Sequence, residues 1–438
     1  MIVKTVLFVN FIATAATFLS IEHPMQILML SSTFPYPPTR GGTQVRTFNL
    51  LQYLIRRHDV ILGTVRSPDV TDAQIDSLRK QVTELAVFET PGTVSTRISG
   101  KIRRFGQFLL SGTPPNVLSS YSQAMQNWAD ELVTVGKCDA VTCEHSVNEI
   151  YVRPEWRQKL LTVVNIHSSV WGTCREMLAT GTSQKPLRDR LNLPLLARYE
   201  QRYCAKFSRI VTTTSTDKQQ LLELLSPPRL RGKADFFEPP INVIPNGVDL
   251  TEFPYRAIDP GGHTLIFAGA MNNLPNIDAA RFLSLQVLPN LQQRYPDATL
   301  TLVGTSPVPE VLALGKIPGI QVVGRVQRVA EYLHQATVCV VPMRIGFGIK
   351  NKTLEAMAAG TPVIASDRGL EGLAVDGRTP QPIGALRANE VQEYVEAITS
   401  LFENHQLRQE LSLNARKRIE SQYTWDIIGR QYDRLFQF

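Results

Sequence analysis

Gly346, Phe347 and Gly348 are followed by Lys350, Lys352 and Glu355 in the run GFGIKNKTLEAMAAGTPVIAS, residues 346–366. Glycines let an anion approach the backbone, and the free N–H groups of a helix start, with its dipole, favour negative charge. The lysines add charge able to offset a diphosphate. Glu355 falls one turn deeper than Lys352 on roughly the same helix face. A carboxylate there is placed to accept hydrogen bonds from both hydroxyls of a ribose. The combination suits a nucleoside diphosphate. Read plainly, it is also a surface Lys–Glu pair on an amphipathic helix, and a glycine loop alone is weak evidence.

Other loops offer partners for that site. Arg344 ends the apolar run VCVVPM, and Gly269 and Asn272 sit in FAGAMNNLPN, where a strand turns into a helix. Gly269 permits close backbone approach, while Asn272 can reach a phosphate or simply cap the helix. Gly41 and Gly42 open a helix after the first strand, which is again anion geometry or a plain hinge. His167 ends LLTVVNIH, and Glu144 with His145 ends DAVTC. A histidine at the tip of a parallel strand can meet a substrate hydroxyl or carbonyl, although a lone histidine is more often structural. Glu144 and His145 are expected to support His167 or to line a second substrate's pocket.

These loops need a scaffold that brings them together. The 438 residues exceed one compact core, so two domains are expected. From Gln26 the chain alternates short β-type runs (QILML, DVILGT, DAVTC, LLTVVNI, RIVTTT) with helical patterns, the signature of a parallel α/β sheet. A Pro- and Arg-rich break, SPPRLRGKADFFEPP, precedes INVIPNGVD. A second α/β set then runs through HTLIFAGAM, ATLTLVG, IQVVGRV, VCVVPM and TPVIAS. Two such halves enclose a cleft, and open parallel sheets bind ligands beyond the carboxyl ends of their strands.

Charge is unevenly placed. Residues 25–245 hold 27 Lys and Arg against 19 Asp and Glu, so the excess positive charge belongs to the first half. Five scattered cysteines form no CxxC pair and have no close His partner, which argues against a zinc site or a disulfide framework. Residues 95–112 combine Arg97, Lys101, Arg103 and Arg104 with Ile98, Ile102, Phe105, Phe108 and Leu109. At helical spacing this is a segment able to rest on an anionic membrane, or a solvated helix on its own domain. Residues 1–24 are nearly unbroken apolar sequence with only Lys4 and Glu22 charged. That stretch reads as a signal or anchor, and Met25 reads as an alternative start. No nucleotide pool exists outside the cytoplasm, so the expectation is a cytoplasmic chain, peripheral on the inner face of a membrane. The basic half finds no nucleic-acid recognition motif to go with it.

Taken together, PYPPTRGGTQVR, VIPNGVDLTEF, LVG, VVGRV, VVPMRIGFGIKNKTLEAMAAGTPVIAS and the terminal YTWD resemble a retaining glycosyltransferase of family 4. IPNGVD and LEAMAAGTPVIA are the specific matches, and the likeness is to transferases that build exopolysaccharide and surface glycans. The resemblance implies the GT-B fold: two Rossmann-like, doubly wound parallel-sheet domains facing a central cleft. It divides the chain into an acceptor-binding domain, 25–248, and a nucleotide-sugar domain, 249–420. A closing helix, 421–438, is expected to pack back on the first domain. It also implies that Glu355 binds the nucleotide ribose and that Gly346–Gly348 meet the diphosphate and sugar. Gly41 and Gly42 would lie beside the phosphates, and His167 would touch the transferred sugar.

Two departures stand out. Many members carry a first glutamate eight residues ahead of the second, just before the glycine loop; here the loop-to-helix spacing is two residues longer, and Arg344 and Ile345 stand where that acid would be. Asn272, Asn273 and Asn276 stand where an Arg and Lys pair usually follows the first strand of the second domain. Arg344, Lys350 and Lys352 are therefore expected to supply the missing positive charge. The implied reaction moves a sugar from a UDP- or GDP-sugar to a hydroxyl of a glycan or lipid-linked acceptor, with no cofactor and no metal. A nucleotide-sugar epimerase or phosphorylase on the same architecture, or an inactive sugar-nucleotide-binding protein, stays open beside it.

Overall fold

The computed structural model describes residues 24–38, 41–90, 108, 112–226, 239–378 and 380–437. The apolar leader, apart from Pro24, lies outside the described residues, as does the basic stretch 95–112 apart from Phe108 and Gly112.

Seven parallel strands form the first sheet: β1 (Gln26–Ser31), β2 (Asp59–Arg66), β3 (Glu84–Glu89), β4 (Ala140–Glu144), β5 (Leu161–Ile166), β6 (Arg209–Thr212) and β7 (Ile241–Val243). Their order is β3-β2-β1-β4-β5-β6-β7. The second sheet holds β8 (Thr264–Ala268), β9 (Thr299–Val303), β10 (Ile320–Gly324), β11 (Val338–Val341), β12 (Val363–Ala365) and β13 (Leu386–Arg387), in the order β10-β9-β8-β11-β12-β13. Inner strands such as β1, β4 and β11 are buried almost throughout. Helices cover both faces, which is why these strands read as unbroken apolar runs rather than as alternating ones. Each sheet reverses direction beside its first strand, between β1 and β4 and between β8 and β11, and such a switch point opens a crevice at the strand ends.

Helices that start at those strand ends carry the loops of interest. In the first domain they are α1 (Gly42–Leu54), α2 (Val170–Ala179), which leads into α3 (Pro186–Cys204), and α4 (Ser215–Leu225). In the second they are α5 (Leu274–Phe282) and α6 (Asn351–Ala359). Ser169 caps α2 by accepting from the Gly172 N–H at 2.9 Å, and Thr214 caps α4 through the Asp217 N–H at 3.0 Å. No side chain caps α1, α5 or α6, the three helices that begin at the switch points. An uncapped start leaves backbone donors for some other acceptor.

The chain then crosses back. The last helix, α7 (Trp425–Asp433), lies against α1, with Asp426 2.7 Å from Arg56 and Asp433 2.7 Å from His58. Ile428 and Tyr432 complete the apolar layer of Leu50, Leu51, Leu54 and Met29. At about 25 cal/mol per Å² of apolar area removed from water, two such side chains contribute several kcal/mol, roughly, to holding the closing helix on the first domain. No helix among the described residues is long and apolar enough to cross a membrane.

Candidate active site

Gly346 and Gly348 hold φ angles of 94° and 77°, left-handed backbone that side-chain-bearing residues avoid. Gly348 has a second reason to lack a side chain. A Cβ there would lie 3.0 Å from the His167 carbonyl oxygen and 3.3 Å from Thr213 Oγ1, both on the first domain. The loop ends at Lys350, which precedes the uncapped first turn of α6. The Lys350 ammonium is buried, donates to the Gly348 carbonyl, and lies 3.6 Å from Glu371. Burial lowers its pKa, against the pull of Glu371 and Asp217.

Lys352 turns to the opposite wall of the loop. Its Nζ donates to Asn276 Oδ1 at 2.5 Å and stands 4.3 Å over the Phe267 ring. Gly269 makes the space: a Cβ there would stand 2.7 Å from that ammonium. Loss of hydration lowers the Lys352 pKa to about 7, although Glu355 opposes the shift. Glu355 is partly buried one turn on, and its pKa is raised to about 7 by desolvation, with Lys352 opposing. Its carboxylate has no hydrogen-bond partner among the described residues. A partly buried carboxylate with no protein donor, one turn from a lysine ammonium, is placed to accept from the hydroxyls of a ligand.

On the first domain, His167 follows β5. Its Nδ1 is 3.4 Å from Thr43 Oγ1 in α1, and its Nε2 is buried with no partner. The ring meets His145 edge-on at 4.8 Å. Desolvation, then His145 and Arg46, push the His167 pKa well below 6.5, so the ring is neutral at pH 7. It can donate or accept one hydrogen bond there but adds no charge. His145 sits at φ 87° at the end of β4 and is lowered to about 4 by burial. Backbone strain of this kind gathers at functional sites. Gly41 has open space around it, and a Cβ on Gly42 would come 3.7 Å from Asn351 Nδ2. The starts of α1 and α6 therefore face each other across the domain boundary.

The IPNGVD motif pins that boundary. Asn246 donates to Asn351 Oδ1 at 2.8 Å and accepts from Arg46 Nη1 at 2.9 Å. Arg46, fully buried in α1, also donates to the carbonyls of Pro245 and Ile244 and to Asn165. A Cβ on Gly247 would strike Trp425 at 2.7 Å. Farther along, Arg368 of the second domain pairs with Glu176 of α2, and Gly372 lies against Thr214.

Three expected residues do not join the cluster. Glu144 is fully buried, and its Oε1 accepts from Tyr432 at 2.8 Å, Asn165 at 3.0 Å and Thr142 at 3.1 Å. It braces the sheet against α7 instead of lining a second substrate's pocket, because position 144 shares the Thr142 side of its strand. Arg344 is exposed, forms a bidentate pair with Asp278 and lies 5.0 Å over Phe282. Its charge is matched by Asp278 at the surface, while Lys350 and Lys352 are the cations that the loop and the first turn of α6 carry. Asn272 is exposed, with no side-chain hydrogen bond among the described residues. The buried amide is Asn276, which holds Lys352 and donates to the Ala270 carbonyl at 2.8 Å. Phe347 lies beneath the Arg368 guanidinium at 4.4 Å. Among the described residues no group of three or more His, Cys, Asp or Glu side chains is placed to hold a metal ion.

The comparisons agree with this architecture. The family model for Glycosyltransferase Family 4 matches residues 40–252, and that for Glycosyl transferases group 1 matches residues 262–404. A glycogen synthase of Mycobacterium tuberculosis is 26% identical over 236 residues, covering 50% of this chain and 51% of the relative. A phosphatidyl-myo-inositol mannosyltransferase of Mycolicibacterium smegmatis is 28% identical over 203 residues, covering 44% and 51%. The chain thus spans about half the length of the curated relatives it matches. Among solved structures, Anabaena HepE in complex with UDP superposes with a TM-score of 0.61 at 15% identity, over 94% of this chain and 99% of that one. The fold is GT-B, and with both halves matched in order, the chain belongs to glycosyltransferase family 4.

Proposed function

We propose that the chain moves a sugar from a UDP- or GDP-sugar to a hydroxyl of a glycan or lipid-linked acceptor, with retention at the anomeric carbon. One observation carries the reading: the partnerless Glu355 carboxylate, one turn from Lys352, at a glycine-led helix start opposite His167. The carboxylate takes the two ribose hydroxyls. The diphosphate lies along Gly348 and the first turn of α6, where backbone donors, Lys350 and Lys352 stabilise the charge that grows as it leaves. Those groups supply the charge without a metal. The anomeric bond to phosphate breaks, the acceptor oxygen bonds to the same face of that carbon, and its proton passes to a leaving phosphate oxygen. Neutral His167 offers Nε2 to a hydroxyl of the sugar. The names of the mannosyltransferase and glycogen synthase relatives, and the UDP held by HepE, support a nucleotide-sugar donor.

A panel of nucleotide sugars, screened by thermal stabilisation and then by transfer, tests this. One UDP- or GDP-sugar is expected to stabilise the wild type and to leave Glu355→Ala unmoved. No stabilisation by any of them removes the reading. Rearrangement of the donor without an acceptor would favour an epimerase, and binding without turnover an inactive binder.

A further inference from the structure

We propose that the first half of α3 is a docking surface for an anionic lipid bilayer. Leu187 is 76% exposed and Leu191 is 66% exposed, four residues apart on one helix face. Pro194, exposed, continues the face one turn on. One exposed leucine is ordinary, but an apolar stripe bordered by cations is the profile of a helix lying in a membrane interface. The border is Lys185, Arg188, Arg190 and Arg198. Arg188 is held by Asp189 at 2.7 and 2.8 Å, and Asp189 is further tied to Ser183. Lys185, Arg190 and Arg198 have no side-chain partner among the described residues, so the surface facing out is cationic.

That charge selects the occupant. Lipid phosphates attract juxtaposed Lys and Arg, and long cationic stems can lie along an apolar surface while their heads reach the phosphates. A protein partner would need about 800 Å² of complementary surface on this side, far more than two leucines provide.

The other end of α3 is anchored in the protein. Tyr199, Glu200, Tyr203 and Cys204 are buried. The Glu200 carboxylate accepts from Ser169 Oγ at 2.7 Å and from the Trp171 and Val170 amides at 3.0 and 3.3 Å. Those groups begin α2, just beyond His167. A bilayer held by Leu187 and Leu191 is therefore rigidly connected to the loop that carries His167. Taking the acceptor to be lipid-borne rests on the proposed transferase; the docking surface itself does not.

The test is co-sedimentation of the full chain with vesicles of phosphatidylcholine, alone or mixed with phosphatidylglycerol. The wild type is expected to partition onto the mixed vesicles, and less so as salt rises. Leu187→Glu with Leu191→Glu is expected to lower that partitioning about tenfold or more, and Arg190→Ala with Arg198→Ala about tenfold. Stabilisation by the nucleotide sugar, measured alongside, is expected to survive in both double variants, which shows that they fold and keeps the donor reading separate. Wild-type binding no stronger to mixed than to neutral vesicles overturns the proposal. So does a leucine variant that partitions like the wild type. If the leucine variant does not fold, the arginine variant decides in the same way.

Discussion

Gly348 faces the carbonyl oxygen of His167 across the domain boundary, backbone to backbone, so closely that a Cβ on the glycine would lie only 3.0 Å from that oxygen. The two halves of the candidate site meet at this point. Gly348→Ala therefore adds a methyl group where φ is 77° and where the other domain already stands. The left-handed backbone alone costs about 1–2 kcal/mol. Turnover is expected to fall at least about tenfold, a loss equivalent to about 1.4 kcal/mol, with the second domain still folded. Steady-state kinetics and a thermal melt check both halves of that statement.

Asn276 aims Lys352. Replacing it with alanine leaves the ammonium without its amide acceptor, so the donor KM is expected to rise about tenfold while kcat changes less. Asn276→Asp keeps an acceptor but adds a negative charge beside the diphosphate. It is expected to weaken donor binding more than alanine does, a ranking that a calorimetric titration reads directly.

Glu355 and Lys352 give the site a pH signature. Donor binding needs the carboxylate charged and the ammonium charged, and both groups titrate at about 7 in the free chain. Donor affinity is expected to peak near pH 7 and to fall on either side, as Lys352 loses its proton above and Glu355 gains one below. Stability runs differently. The Glu355 pKa is raised from 4.5, so its stabilising contribution is present below pH 4.5 and is lost as pH rises through about 7. Glu355→Gln removes that loss. It is expected to melt about 3 °C above the wild type at about pH 8 and to match it near pH 4. Lys352 is lowered from 10.5, so its contribution is present above 10.5 and is lost as pH falls through about 7. Lys352→Met is expected to be the more stable chain below about pH 7. Melting curves across the pH range check the two signs.

Asn246→Ala tests the boundary. It strips one partner from the buried Arg46 guanidinium and one from Asn351. A cost of about 1–3 kcal/mol is expected, visible as a lowered denaturant midpoint with little change in slope. Glu144→Gln makes the complementary case. It is expected to alter stability through Tyr432 and Asn165 while leaving the KM for acceptor unchanged.

Much of the scaffold was legible because a strand buried on both faces writes itself as an apolar run. The turns between such runs carried GFG, GG and NNLPN where switch points demand open backbone. Lys352 and Glu355 were legible because spacing along one helix fixes their mutual face. What the sequence hid were pairings across long separations. Nothing in VCVVPMR says that Arg344 will be captured by Asp278, 66 residues away. Nothing in DAVTCEH says which side of the sheet Glu144 faces, since the period of a strand fixes alternation but not direction. IPNGVD stood out as a motif, yet its work lies in Asn246 joining Arg46 to Asn351, across 200 and 105 residues. Asn276 gave no local signal beyond one asparagine among three.

A crystal structure of the chain soaked with the nucleotide sugar that stabilises it most is the most direct measurement. The ribose hydroxyls are expected on Glu355, the diphosphate over Gly348 and the start of α6, and Lys352 within ion-pair distance of a phosphate. A nucleotide bound elsewhere, or one that leaves the Glu355 carboxylate untouched, would contradict that placement.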